Sequence, residues 1–346
     1  MTSAHSDFPP TAGDSPGWSS DDNSDWGTTD GWGSDDGSDT TSGRRRRARG
    51  EKAFERDSDA GVADREDVVA VPVAPVSRLV SLAVAIFAGL LGLALIFGAY
   101  TEHRPYGLVI FGVQVLFVLS WTIATRPPGP RVVAAVGLGA AAVVDIAVAW
   151  PEHATIAPIG YVTAAAFAAG AVGQLLRKGG RDHVLESLAA TLMMVVGVVA
   201  YATLIVLTRH SLGTEALAAC LAGAGVGIVV ARLVDVVLPF PRTTPQVARG
   251  TIGILAGVCA GTVASALVAA QLKGLHPRDA VLAGLIVSVA AVLADLGVGY
   301  AEASREIDGE VSQFWVVRHM QGPLGAFALA APVAYAMSVM ILVSSL

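Results

Sequence analysis

The chain has 346 residues, 53% of them hydrophobic and only 15% charged, with 38 glycines and a mean hydropathy of +0.59. So few charges exclude an ordinary water-soluble enzyme, and they leave too little basic surface for a nucleic-acid partner. The net charge of −6 is a poor guide to the apolar part, because most of the acid lies in the N-terminal segment.

Residues 1–77 read as a cytoplasmic tail. Its first 43 residues hold nine aspartates and no lysine or arginine, with Trp18, Trp26 and Trp32 set among Ser, Gly and Thr. Such a segment buries too little apolar area to offset the entropy of ordering it, so disorder is expected. Arg44 to Arg47 and Arg49 then reverse the sign, and mixed charge runs to Asp67 ahead of Pro72 and Pro75. Two readings of the basic cluster stay open: a solvated, self-neutralising tail, or a contact with anionic headgroups. The first long apolar run starts near residue 79, so no secretory signal peptide is expected before the tail.

Residues 78–346 read as a helical transmembrane domain. Apolar runs occupy about 79–100, 106–125, 132–150, 156–176, 184–207, 215–238, 251–272, 279–300 and 323–345. Each is long enough to cross the ~30 Å hydrocarbon core of a bilayer as a helix. Backbone groups cannot go unpaired in lipid, and runs without two-residue alternation select helices over a barrel. The expected fold class is all-α, a polytopic membrane protein with about nine transmembrane helices. Cys220 and Cys259 lie inside apolar runs and read as small core residues, suggesting neither a disulfide nor a metal site.

The connections on the tail's side of the membrane carry Arg126, Arg131, Arg177, Lys178, Arg181, Arg242, Arg249, Arg305 and Arg318, against Arg104, Arg209, Lys273 and Arg278 on the other side. Because cytoplasmic loops are enriched in Lys and Arg, this asymmetry predicts a multi-pass plasma-membrane protein with a cytoplasmic N-terminus and an external C-terminus.

Glycines punctuate the sixth and seventh runs at Gly223, Gly225 and Gly227 and at Gly253, Gly257 and Gly261. Small residues four apart let membrane helices approach closely, within one chain or across a homodimer. No phosphate-loop pattern accompanies them. Ionisable residues inside the runs say more, since a charge near the bilayer centre costs at least ~2.5 kcal/mol. Asp145 lies a turn from the outer interface and is expected to be solvated. Arg232 and Asp235, three apart on one helix face, can neutralise one another near the interface. Asp295 has no such escape and ranks first for function. The stretch from Ala301 to Gly322 is expected to be the one long connection, carrying Glu302, Arg305, Glu306, Asp308, Glu310, Arg318 and His319, with Phe314 to Val317 as an interfacial anchor.

The order of these features is distinctive: a run ending in Asp235, an Arg/Pro loop, a Gly-rich run, HPRDAVLAGLIVSVAAVLADL at 276–296, a polar stretch, His319, and a run with an internal proline. It resembles the C-terminal half of the phosphatidate cytidylyltransferase (CDP-diacylglycerol synthase) family over about residues 180–346. The resemblance implies a helical membrane protein of the kind that joins CTP to phosphatidic acid with divalent metal ions, releasing pyrophosphate. It would match Asp235 to an aspartate at the end of a span, Asp295 to the GDL aspartate and His319 to the histidine of PGHGG.

Departures from the family pattern are equally specific. In place of KTWEG or KSWEG stand Gln246, Val247, Ala248, Arg249 and Gly250, so a base replaces the acid. No acidic residue follows Glu310, which removes DRxD, and no lysine follows Lys273. Nucleotidyl transfer needs hard oxygen ligands for magnesium and cations for the triphosphate. Asp235 and Asp295 are the remaining candidate metal ligands, and Arg249, Arg305, Arg318 and His319 the candidates for a phosphate or lipid headgroup.

The expectation is a degenerate relative without catalysis and without a cofactor, associated with membrane lipids, including anionic phospholipid, or with a protein partner of the tail. The alternatives are an active CTP:phosphatidate cytidylyltransferase using Mg2+ at a rearranged site, and a small-solute transporter, for which no paired broken helices are seen. A reporter fused after Leu346 is expected to be exposed outside the cell; cytoplasmic activity of that fusion would reverse the assigned orientation.

Overall fold

The computed structural model describes residues 78–151, 155–176, 183–247, 249–309 and 314–344. The tail expected at 1–77 lies outside these described residues. All the described residues belong to one unit, Ala70–Leu346. They form nine helices long and apolar enough to cross a membrane, and no strand beyond one isolated bridge. The chain is an all-α polytopic membrane protein.

In chain order the helices are α1 (Arg78–Ala99), α2 (His103–Thr125), α3 (Pro130–Ala149), α4 (Ala157–Leu175), α5 (Val184–Leu207), α6 (Gly213–Val237), α7 (Thr251–Gln271), α8 (Pro277–Ile307) and α9 (Trp315–Ser344). Seven of them match the apolar runs closely. The last two are longer than their runs: α8 continues through Glu302, Arg305 and Glu306, and α9 begins at Trp315. The long connection expected at 301–322 therefore shrinks to the short stretch between Ile307 and Trp315. At 1.5 Å per residue the 31 residues of α8 exceed the ~30 Å apolar core, which carries its charged last turns toward the polar boundary.

Many large apolar side chains are exposed, among them Leu79, Leu108, Tyr161 and Leu185. In water such a surface would be a liability, but against lipid it is the ordinary exterior of a membrane helix. Packing forms two groups. One is built on α6, which contacts α1, α7, α8 and α9; the other comprises α2, α3, α4 and α5. Helix α9 also packs on α2 and α5 and so joins the groups, where the Tyr201 hydroxyl donates to Leu324 O at 2.6 Å. Among the described residues helix α4 packs on α3 and α5, and a cavity of about 600 Å³ lined by Ala135, Gly139, Tyr161 and Ala165 lies between α3 and α4.

The glycine reading holds for α6 and α7. A Cβ at Gly257 would press on Gly227 O and Ala231, and one at Gly261 would collide with Gly223 O and Ser288. Gly225 instead faces Gly92 of α1 and the Phe327 ring. Ser265 Oγ, one turn beyond Gly261, donates to Ala280 O at 3.0 Å and ties α7 to α8. Close backbone approach of this sort substitutes for the missing hydrophobic drive between helices in lipid. Gly257→Val is expected to destabilise the purified protein by about 1–3 kcal/mol, since its obstacle is backbone that cannot swing aside. Gly139→Ala, where nothing lies within 4 Å, should leave denaturation by SDS titration unchanged or slightly shifted upward.

Candidate functional site

Arg232 and Asp235 occupy the last turns of α6. The chain then runs through the loop at 238–250, which folds back on itself: Arg242 and Gly250 form an antiparallel bridge, and Thr251 N–H donates to Pro241 O at 2.9 Å. Thr243 N–H donates to Arg249 O at 3.1 Å, completing the return. This loop turns Arg249 inward, where it is 4% exposed.

The Arg249 guanidinium lies between two carboxylates. Its Nη1 donates to Asp235 Oδ2 at 3.0 Å, and its Nη2 pairs with Asp295 Oδ2. Gly250 N–H, at the start of α7, donates to Asp235 Oδ1 at 2.9 Å. From the other side Arg232 grips Asp295 with two prongs, Nε to Oδ2 at 3.0 Å and Nη2 to Oδ1 at 2.5 Å. All four carboxylate oxygens are thus engaged, and the two positive and two negative groups cancel. Buried charge is tolerated in a membrane protein when it is paired and hydrogen-bonded in this way.

Two glycines make room for the cluster. A Cβ at Gly253 of α7 would collide with the Asp235 carboxylate, and one at Gly322 of α9 with that of Asp295. The local Arg232–Asp235 pair expected from their spacing is replaced by longer-range partners. Arg232 binds Asp295, 63 residues away, and Asp235 binds Arg249, 14 residues away. Within one helix, facing positions suggest a pair, but the neighbouring helices supply better-directed oxygens and donors.

The remaining sequence candidates lie around this cluster without joining it. Arg318, in the first turns of α9, pairs with Glu306 at 2.7 Å and more loosely with Glu302 at 3.8 Å, clamping the start of α9 to the end of α8. The ring of His319 lies 6.2 Å from that of Trp315. Arg305 donates from Nε to Ala301 O at 3.1 Å and borders an apolar cavity of about 350 Å³ walled by Phe117, Trp121, Val196, Val298 and Leu329. Of the four headgroup candidates, Arg305 is the one that borders this cavity, whereas Arg249 is committed to the two aspartates.

The donor set does not fit a divalent cation. A magnesium ion asks for near-octahedral oxygen ligation, yet every oxygen of Asp235 and Asp295 already accepts from a guanidinium or an amide. Among the described residues no group of three or more His, Cys, Asp or Glu side chains is arranged to hold a metal ion.

A second polar pair was not anticipated. Asp145, expected to be solvated, is 7% exposed, and Gln114 of α2 donates to it at 3.0 Å. Its burial depends on α2 and α5 closing over α3, which the spacing within its own run could not reveal. Comparison with models of protein families and with curated proteins finds no match to this chain.

Removing Arg249 leaves the buried Asp235 carboxylate with the Gly250 amide alone and no cation, while Asp295 keeps Arg232. Arg249→Ala is expected to destabilise the protein by about 3–5 kcal/mol, the cost of leaving a buried charge without its partner. The double variant Arg249→Gln with Asp235→Asn should recover part of that loss in the same denaturation assay.

Proposed function

We propose that this chain is a plasma-membrane protein with a cytoplasmic N-terminus that performs no cytidylyl transfer and acts as a lipid-associated or partner-binding frame. The observation that supports this most directly is the Arg249 guanidinium between Asp235 and Asp295, where metal-assisted phosphoryl chemistry would need open carboxylate oxygens. The resemblance to phosphatidate cytidylyltransferases concerns the order of helices and polar residues, while the charge needed to hold a nucleotide's metal ion is met by the protein's own arginine. Association with lipid draws support from the cavity beside Arg305. This apolar recess is lined by residues of α2, α5, α8 and α9. It suits an acyl chain, with the guanidinium near the polar end for an anionic headgroup.

The test is direct. Purified protein in vesicles containing phosphatidic acid, given CTP and Mg2+, should form no CDP-diacylglycerol above empty vesicles. Product formation abolished by Asp295→Asn would establish catalysis and defeat this reading.

A further inference from the structure

At the end of the bundle away from the Asp235–Asp295 cluster, a cavity of about 220 Å³ lies between α2 and α3. Successive helices cross in alternate directions, which brings the start of α2 beside the end of α3 there. Arg104 and Trp150 stand at one limit of the lining and Phe111 and Ala142 at the other, so the cavity follows α2 for about 10 Å of helix rise. Leu108 and Ile146, between these limits, are 75% and 58% exposed, and the cavity opens sideways toward lipid.

The lining is apolar except for Asp145 and Arg104, and the two differ in what they offer a ligand. Asp145 is closed off: Oδ1 accepts from Gln114 at 3.0 Å, and Oδ2 is buried. Arg104 is exposed, with its guanidinium 5.1 Å from the Trp150 ring centre. A guanidinium held over an aromatic face keeps its N–H donors, which radiate in its own plane, available to an anion. Among the described residues no carboxylate forms an ion pair with Arg104, the nearby Glu102 included.

The backbone adds to this positive character. Helix α2 starts after Glu102 without a side-chain cap, so the positive end of its dipole lies at the same mouth. The negative end of α3 is already answered, because Arg209, just past the end of α5, donates to Val148 O at 2.6 Å and to Pro151 O. What is left at the mouth is a cation and an uncapped helix start, above an apolar slot open to the bilayer.

We propose that this cavity seats an acyl chain of a phospholipid with a net negative headgroup, taken from the leaflet at this end of the bundle. The phosphate meets Arg104 and the start of α2, and the chain enters between Leu108 and Ile146 to lie against Phe111 and Ala142. Charge selects among lipids: a zwitterionic headgroup brings its own cation to the arginine, and an anionic one does not. The site is separate from the recess beside Arg305 and stands whether or not the chain is catalytic.

Trp150, 64% exposed at the mouth, reports on this site alone. Full-length protein is placed in phosphatidylcholine vesicles with a small fraction of chain-brominated phosphatidylglycerol, or the same fraction of chain-brominated phosphatidylcholine. Quenching of Trp150 is taken as the difference from Trp150→Phe. About fivefold stronger quenching by the phosphatidylglycerol is expected, the preference one arginine near a membrane surface supplies. Arg104→Gln should abolish that preference, and so should Ala142→Phe, which fills the slot and leaves the arginine in place. Equal quenching by the two lipids, an undiminished preference in either variant, or displacement of the lipid by an equal concentration of glycerol phosphate would each overturn the proposal.

Discussion

A guanidinium held between two carboxylates, with all three out of water, governs one end of this molecule. An isolated charge at that depth would be prohibitive, so Arg232, Asp235, Arg249 and Asp295 have to assemble together or not at all. Because they come from α6, the loop at 238–250 and α8, their mutual neutralisation fixes the spacing of those elements. The glycines at positions 253 and 322 follow from the same requirement, since any side chain there would displace a carboxylate from its arginine.

The chemistry available at that end follows from which atoms are already occupied. A metal ion at these carboxylates would stand beside the two arginines that already neutralise them, and a guanidinium cannot be displaced without uncovering negative charge in a low-dielectric interior. A cluster of this composition makes a rigid clasp. An apolar recess beside Arg305 is lined by residues of α2, α5, α8 and α9.

Much of the architecture was legible in the residues because length and apolarity alone determine what can cross a bilayer. The spans from 79 to 272 needed little more, and the glycines of α6 and α7 were recognisable as a close helix contact. The ends of α8 and α9 were hidden, since Glu302, Arg305 and Glu306 read as loop by polarity although Ala, Glu and Arg are good helix formers. Partnerships across helices were hidden as well. Spacing along one helix says which residues share a face, but not that Arg232 reaches Asp295 or that Gln114 covers Asp145.

Helix α4 stands apart from this economy of contacts. Among the described residues it packs on α3 and α5, buries little beyond Gly170 and Gln174, and leaves a gap of about 600 Å³ on its α3 side. In a bilayer no such opening stays empty, so hydrocarbon tails complete the seam that side chains leave unfilled. The position of α4 is then partly a property of the surrounding lipid.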